Sequence, residues 1–327
     1  MALNRRRLFQ LGAAAMAGGT GWNFALPVFA AAQTPASASD LGAKVGEKVK
    51  SRFKLGISIT AKRGQCIQME GTAPMPIEWP EQDVKIEEED VTPGVRSAFR
   101  EVSPTVRQLV LSVPFLAVGQ EAHALLTVAI SRAPITPPTV TDVFQLPDTK
   151  KLKVDMKQYL RASPGIETAK SKFRDISKEV TEGKGTAWEQ VEALYDWTRE
   201  NIEYVNGPFK GAWRALNDKN GDCEELSSVF IALCRCHGVP ARTVWVPDHC
   251  YAEFYLEDDA GRGYWFPCQA AGARDFGGIP ELRPILQKGD NFIVPEERKP
   301  VRYVAEKLTG KGGSPGVKFI RESLDAD

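Results

Sequence analysis

The feature that most constrains the fold of this chain is a cysteine at the start of a helical pattern. Asp222 and Glu225 have the spacing of a capping box, which predicts that a helix begins here with Asp222 as its N-cap. Cys223 then lies in the first turn, where unpaired N–H groups and the helix dipole stabilise a thiolate. The apolar residues that follow recur at helical spacing and predict one buried face: Leu226, Val229, Phe230 and Leu233.

Three strand patterns follow this helix. Gly238 and Pro240 predict where the helix ends. The strand patterns run over residues 242–246, 249–256 and 264–269, and a polar turn at 258–263 separates the last two. Helices that precede an antiparallel meander predict an α+β domain.

The predicted hairpin brings a histidine to a glutamine. If Asp259 is the centre of the turn, His249 lies opposite Gln269 and Cys250 lies opposite Cys268. Directly opposed strand residues have Cα atoms within the range of a disulfide. The register therefore allows a Cys250–Cys268 bond behind the site, but strain in such a bond favours two packed thiols.

Cys223, His249 and Gln269 are candidates for one thiol site. A thiol needs a base to form a thiolate, and the base needs a third group to hold its tautomer. A single buried cysteine is more often a small hydrophobic residue, and a single histidine near a strand start is often only hydrogen-bonded. Cys223 departs from that interpretation because it follows a helix cap.

Four motifs together resemble one known family. They are Gly-x-Cys at 221–223, Gly-Val-Pro-Ala-Arg at 238–242, His-x-Tyr-x-Glu-x-Tyr at 249–255 and Trp-x-Pro-x-Gln at 265–269. Over roughly 185–270 the chain resembles the transglutaminase-like superfamily of papain-related thiol enzymes. The resemblance implies helices packed on an antiparallel sheet, with Cys223 as nucleophile and His249 as base.

The third position departs from the family pattern. The family usually has an aspartate there, and this chain has Gln269. A neutral amide can accept a hydrogen bond from an imidazole, as the asparagine of papain-like enzymes does. It cannot give the same electrostatic support to an imidazolium.

These residues predict acyl transfer on amide bonds of a protein or peptide substrate. Water as the second reactant makes the protein a peptidase or amidase, and an amine makes it a transamidase. The alternative is a catalytically inactive module that binds proteins or peptides. Neither hypothesis includes a cofactor or a metal ion.

The N-terminus predicts export. Arg5, Arg6 and Arg7 form a twin-arginine pattern before an apolar run, and Ala30-Ala31-Ala32 offers a cleavage site. We therefore expect a periplasmic or secreted protein, without a stable membrane span after cleavage. The alternative interpretation of the apolar run is a membrane anchor.

Charge gives no reason to expect a nucleic-acid partner. The chain has 42 basic and 42 acidic residues. Removal of residues 1–32, which hold three arginines and no acidic residue, leaves 39 basic against 42 acidic residues. A slightly acidic protein lacks the basic surface that nucleic-acid binding requires.

The rest of the chain divides by composition. We predict a signal peptide at 1–32, a flexible tether at 33–51, a β-rich, sandwich-like domain at 52–133 and a linker at 134–150. The transglutaminase-like domain is predicted at 151–310, with a C-terminal extension at 311–327 and a flexible break at 310–316. Cys234, Cys236 and His237 have poor spacing for a zinc site, and core cysteines are the favoured interpretation.

Overall fold

The computed structural model of the chain describes residues 41–325. The predicted signal peptide at 1–32, residues 33–40 of the predicted tether and the last two residues lie outside the described residues. Within the described range, no helix is long and apolar enough to cross a membrane.

Antiparallel strands make up the first part of the chain. They are β1 (Lys44–Val45), β2 (Val49–Met75), β3 (Gln82–Val91), β4 (Arg96–Ser103), β5 (Val106–Leu116), β6 (Glu121–Arg132) and β7 (Ile135–Thr136). One sheet contains β3, β6, β2, β5 and β4 in that order, while β1 pairs with β7. The β-rich character predicted for this part of the chain is therefore present.

The long strand β2 belongs to both halves of this curled sheet. Its first half, from Val49 to Thr60, pairs with β6, and its second half, from Cys66 to Met75, pairs with β5. Apolar side chains of all three strands share one core, for example Leu55, Leu111 and Leu126. Because the strands are bonded into one sheet, the sandwich-like form stays a prediction about how its two halves stack.

The second part of the chain places helices before a second antiparallel sheet. In chain order its elements are α1 (Val154–Lys157), a 3-10 turn (Gln158–Leu160), α2 (Ser171–Thr181), α3 (Ala187–Asn201), β8 (Glu203–Tyr204), α4 (Ala212–Asp218), β9 (Asn220–Gly221), α5 (Cys223–Cys236), β10 (Ala241–Val246), β11 (His249–Glu257), β12 (Gly263–Gln269), β13 (Asp275–Phe276), β14 (Gln287–Lys288) and β15 (Lys307–Ser323). Strands β13, β12, β11, β10 and β14 form a five-stranded sheet in that order. The predicted α+β fold class is confirmed.

Helix α5 lies at the centre of this second part. Its predicted apolar residues are all buried: Leu226, Val229, Phe230 and Leu233. The helix ends as the sequence predicts, since Gly238 has a φ of +85°, a left-handed conformation that glycine adopts without strain. Near this end, Arg235 Nη2 lies 2.7 Å from Asp290 Oδ2 in a buried ion pair, which fixes the helix against the segment after β14.

A buried charge network joins the two sheets. Lys288 Nζ lies 2.7 Å from Glu81 Oε1 and 2.5 Å from Glu253 Oε1. Arg242 Nη2 lies 2.7 Å from Glu253 Oε2. Burial opposes the charge on Glu253, but its two cationic partners lower its pKa to about 2. The glutamate of the His-x-Tyr-x-Glu motif is therefore an ionised structural residue.

The last strand returns to the first sheet. β15 pairs with β2 from Lys307 opposite Thr72 to Ser323 opposite Phe53, so residues 310–316 belong to a strand. The prediction of a flexible break there is wrong, because the glycines serve close packing. A Cβ on Gly312 would lie 2.2 Å from the Gln65 carbonyl oxygen. The strand also crosses the domain boundary predicted between 310 and 311.

Strands β11 and β12 pair two residues away from the predicted register. Ala252 lies opposite Cys268, so neither His249–Gln269 nor Cys250–Cys268 is a directly opposed pair. Asp258 causes the difference, because its Oδ1 accepts hydrogen bonds from the backbone N–H groups of residues 260 and 262, each at 2.9 Å, and organises a longer turn. The Cys250–Cys268 disulfide that the predicted register allowed is absent, and all six cysteines are free thiols, in agreement with the favoured interpretation of two packed thiols.

Candidate active site

Cys223 is the first residue of α5, and the predicted capping box holds the chain there. The Asp222 carboxylate accepts a hydrogen bond from the Glu224 N–H at 2.8 Å. In return, the Glu225 carboxylate accepts one from the Asp222 N–H at 3.0 Å. The Cys223 N–H itself has no acceptor within residues 41–325. The start of the helix therefore presents a thiol and an unused donor at the same point.

The surroundings of Cys223 favour its thiolate. A hydrogen bond from the Cys250 thiol is the largest cause of a pKa lowered to about 4. Hydrogen bonds from the His249 side chain and the Cys250 backbone N–H act in the same direction, whereas burial opposes them. Cys223 is therefore ionised at neutral pH.

His249 is held by Gln269 on the side away from the thiol. The His249 Nε2 atom lies 2.8 Å from Gln269 Oε1. Although the two residues are not directly opposed, a two-residue shift in register keeps both side chains on the same face of the sheet. The structure thus brings together Cys223, His249 and Gln269, the three site residues predicted from the sequence.

Asp275 determines which way the Gln269 amide points. Gln269 Nε2 donates to Asp275 Oδ2 at 3.4 Å, and Asp275 is its partner across the β12–β13 ladder. An ionised carboxylate only accepts hydrogen bonds, so the amide nitrogen faces Asp275 and the amide oxygen faces His249. His249 Nε2 must then carry a proton, which leaves Nδ1 as the ring nitrogen available to Cys223.

The histidine retains its proton more strongly than a free imidazole. Burial alone lowers the pKa of His249, but hydrogen bonds to Cys223 and Gln269 and the charge of the thiolate outweigh it, so the net pKa is raised. The raised histidine pKa and the lowered cysteine pKa have one shared cause, the attraction between the two groups. The two shifts together favour a thiolate–imidazolium pair over two neutral groups.

Two residues of α3 fix the backbone at Gln269. The Tyr195 hydroxyl donates to the Gln269 carbonyl at 2.7 Å. Arg199 donates to the same carbonyl at 3.3 Å and to three more in the loop that follows, those of Ala270, Gly272 and Ala273. This loop leads directly from Gln269 to Asp275, so α3 positions both.

The thiol opens into a cleft of about 280 Å³. One wall comes from the start of α5 and from the turn between β10 and β11. The other wall comes from the C-terminal region, as Arg302, Tyr303, Glu306 and Arg321. The first sheet thus takes part in the site, because Arg321 lies on β15.

Charged pairs line the C-terminal wall. Arg302 forms an ion pair with Glu224, the residue after Cys223, and its guanidinium lies 3.9 Å from the centre of the Phe209 ring. Arg321 donates to the Tyr303 hydroxyl at 3.0 Å and pairs with Glu306. Burial raises the pKa of Glu224 to about 7 in spite of Arg302.

A second cavity of about 490 Å³ is lined by the loop 205–210, Gly221 and Glu225, among others. Phe209 lines this cavity and Arg302 lines the cleft, so the contact between these two side chains links the linings of the two spaces.

Metal ligation finds no support in the described part of the chain. Within residues 41–325, no three or more His, Cys, Asp or Glu side chains are grouped closely enough to hold a metal ion. Cys234 is fully buried, and His237 Nε2 lies 2.7 Å from Gln190 Oε1. Both residues are accounted for by packing and hydrogen bonding.

Sequence reasoning missed three contributors to the site. Cys250 was expected behind the sheet, but its thiol contacts Cys223. Its position directly after His249 was the available signal. Arg199 and Arg302 lie far along the chain from the motifs and carry no local signal of their roles.

Comparison with known proteins finds one family profile and one curated relative. Residues 174–270 match the profile of the transglutaminase-like superfamily. An uncharacterized protein of Haemophilus influenzae is 25% identical over 210 residues, which make up 53% of this chain. The chain spans about half of that relative, 52% of its length.

A solved structure shares the fold over most of the chain. It is described as a "putative cysteine protease" from Cytophaga hutchinsonii, and it matches with a TM-score of 0.58 at 17% identity. The match covers 87% of this chain and 94% of that one. This likeness shows that the α+β fold of the chain is shared with that structure.

Proposed function

Residues 174–270 carry the transglutaminase-like core, and from this premise we propose that the chain is an exported thiol enzyme that transfers acyl groups from amide bonds. The observation that carries the proposal is that Cys223, at a capped helix start, shares a cleft with a histidine whose interaction with it lowers the cysteine pKa and raises the histidine pKa. Its histidine Nε2 lies 2.8 Å from the oxygen of Gln269. The substrate class is protein or peptide.

In the first half of the reaction, Cys223 Sγ attacks the carbonyl carbon of an amide, and a C–S bond forms as the carbonyl oxygen becomes an oxyanion. The free N–H of Cys223 is placed to donate to that oxyanion. The His249 imidazolium then gives its proton to the leaving nitrogen, the C–N bond breaks and the amine departs.

In the second half, neutral His249 removes a proton from water or from a second amine. That nucleophile attacks the thioester carbon, and the C–S bond breaks to restore the thiolate. Gln269 keeps the imidazole in one orientation through both steps. Hydrolysis and transamidation share this path and differ only in the second nucleophile.

Export rests on the twin-arginine pattern and cleavage signal at 1–32. Because that pathway moves folded proteins, the thiol site would form before transport. The expected location is the periplasm or the medium outside the cell. Fractionation of the producing cell, compared with a variant in which Arg5 and Arg6 are both lysine, tests this part of the proposal.

The test of activity uses peptide and amide libraries, with and without a fluorescent primary amine. We expect product and a covalent acyl adduct on Cys223, both absent in Cys223→Ala. Cys236→Ala is the matched control, because Cys236 is a half-buried thiol at the other end of the same helix. Labelled amine in the product identifies transamidation, and free acid identifies hydrolysis.

The alternative function is a binding module without turnover. It is favoured if peptides bind to wild type and Cys223→Ala with equal affinity while wild type forms neither product nor adduct. The observation that favours this alternative is Gln269, because the family usually has an aspartate there and a neutral amide supports an imidazolium less well.

A further inference from the structure

A second thiol accompanies Cys223 in the cleft. Cys250 follows His249 on β11 and is 2% exposed, and hydrogen bonding from its thiol and backbone N–H lowers the pKa of Cys223. Both residues line the same cleft. Three other thiols donate to backbone carbonyls instead, namely those of Cys66, Cys236 and Cys268.

We propose that Cys223 and Cys250 form a reversible oxidation site, in which a peroxide oxidises Cys223 and Cys250 then closes a disulfide with it. This proposal does not depend on amide turnover. An accessible thiolate beside a second thiol is the arrangement that redox-sensitive cysteine pairs share.

The first step consumes one peroxide molecule. The Cys223 thiolate attacks one peroxide oxygen, the O–O bond breaks, and the sulfur becomes a sulfenic acid. The departing hydroxide or alkoxide takes a proton from the His249 imidazolium and leaves as water or alcohol. Two electrons pass from the sulfur to the peroxide.

The second step joins the two sulfurs. Cys250 loses its proton to the now neutral His249, and its sulfur attacks the Cys223 sulfur. The S–O bond breaks, and the hydroxide that leaves takes up the proton from His249 to form water. A thiol reductant reverses the bond by exchange.

The order of the two steps follows from which thiol is ionised. The hydrogen bond to the Cys223 thiolate is the largest cause of the raised pKa of Cys250, with burial next. Cys250 is therefore protonated while Cys223 is a thiolate. Once Cys223 is a neutral sulfenic acid, that cause is lost and Cys250 can ionise.

A disulfide here would have two consequences. The nucleophile would be blocked, so amide chemistry would stop until a reductant arrived. Cys223 would also be protected from further oxidation to the sulfinic acid, which ordinary thiols do not reverse.

The test exposes the purified protein to a modest excess of hydrogen peroxide and blocks the remaining thiols. Unreduced peptides are then mapped by mass spectrometry. We expect a cross-linked peptide pair containing Cys223 and Cys250, which disappears after dithiothreitol with recovery of Cys223 alkylation. Accumulation of Cys223 sulfinic acid while Cys250 is still free would overturn the proposal, and this measurement needs no variant.

Two variants sharpen the result. Cys250→Ser should pass to the sulfinic and sulfonic acids at Cys223, so dithiothreitol should no longer restore alkylation. Cys268→Ser is the matched control, a buried thiol on the neighbouring strand, and it should behave as wild type. Equal recovery in Cys250→Ser and wild type would count against the proposal. Because the readout is mass and alkylation, a lack of amide turnover affects only the proposed function.

Discussion

Gln269 and Asp275 face each other across the β12–β13 ladder, with the amide nitrogen 3.4 Å from the carboxylate. The family usually has a carboxylate in direct contact with the histidine. Here a carboxylate, that of Asp275, contacts Gln269, and Gln269 contacts the histidine. Asp275 therefore fixes the orientation of the Gln269 amide and does not place its charge directly beside His249.

Gln269→Ala should lower kcat by about 10- to 100-fold while the melting temperature changes little, because the imidazole loses the partner that fixes its tautomer. Turnover and thermal unfolding of the purified variant check this. The matched control is Gln158→Ala, because the side-chain amide of Gln158 is exposed and donates only to a nearby carbonyl. Gln287 is less suitable as a control position, because its side chain is buried and hydrogen-bonded to the Val304 backbone. Unchanged turnover in Gln269→Ala would show that another group orients His249.

Gln269→Asp should be less active alone than in combination with Asp275→Asn. The single change places two carboxylates against each other, so one of them takes up a proton and cannot support the imidazolium. The double change removes that repulsion and places one carboxylate beside His249. Turnover of the four combinations, analysed as a double-mutant cycle, measures the coupling. Additive effects would mean that Asp275 does not act through position 269.

Cys223 should be alkylated by iodoacetamide at pH 7 about tenfold or more faster than the buried Cys234, because only Cys223 is ionised there. The lowered pKa of Cys223, about 4, means that its thiolate exists above that pH and is lost as the pH falls through it. Turnover should also fall at high pH, where His249 passes its raised pKa and can no longer donate a proton. Rates of labelling and turnover between pH 3 and pH 10 test both limits. Equal labelling of the two cysteines would remove the main support for catalysis.

Arg199→Ala should destabilise the protein by about 1–3 kcal/mol, because several carbonyls of the loop after Gln269 lose their donor. We also expect roughly tenfold lower turnover, since that loop positions both Gln269 and Asp275. Arg199→Lys should not restore either value, because a point charge cannot donate to carbonyls in several directions. The exposed Arg214→Ala serves as control. Normal turnover in a destabilised Arg199→Ala would limit Arg199 to a structural role.

Glu224 should make stability depend on pH near neutrality. Its pKa is raised to about 7, so the folded protein holds this proton more tightly than the unfolded chain does. The resulting stability is present below the unfolded pKa and is lost as the pH rises through about 7. The melting temperature of Glu224→Gln relative to wild type should therefore increase by a few degrees between pH 5.5 and pH 8.5. The exposed Glu297→Gln should show no such trend, and a trend of opposite sign for Glu224→Gln would contradict the raised pKa.

The sequence could predict those structural features that depend on contacts between residues close together in the chain. The capping box at Asp222, the end of α5 at Gly238 and the three strands after it depend on local geometry, and all are confirmed. The register failed because one side chain, Asp258, reorganises the turn. His249 and Gln269 met nonetheless, because the error was an even number of residues and strand faces alternate with period two.

The second wall of the cleft could not be predicted. Arg302 and Arg321 reach the site only because β15 crosses back to β2, and no local pattern encodes a strand pairing over that distance. The glycines at 310–316, which suggest flexibility in a sequence, permit close contact with β2 once the strand is in place.

The pairing of residue 323 with residue 53 also sets an order of assembly. Contacts between near neighbours in the chain form sooner than contacts that close a long loop. Cys223, His249 and Gln269 lie within a span of 47 residues. The wall that carries Arg321 forms only when β15 pairs with β2, which is far away in the chain. We expect a refolding chain to form its reactive thiol site before β15 pairs with β2 and completes the second wall of the cleft. Pulsed alkylation during refolding would show when the thiol becomes reactive.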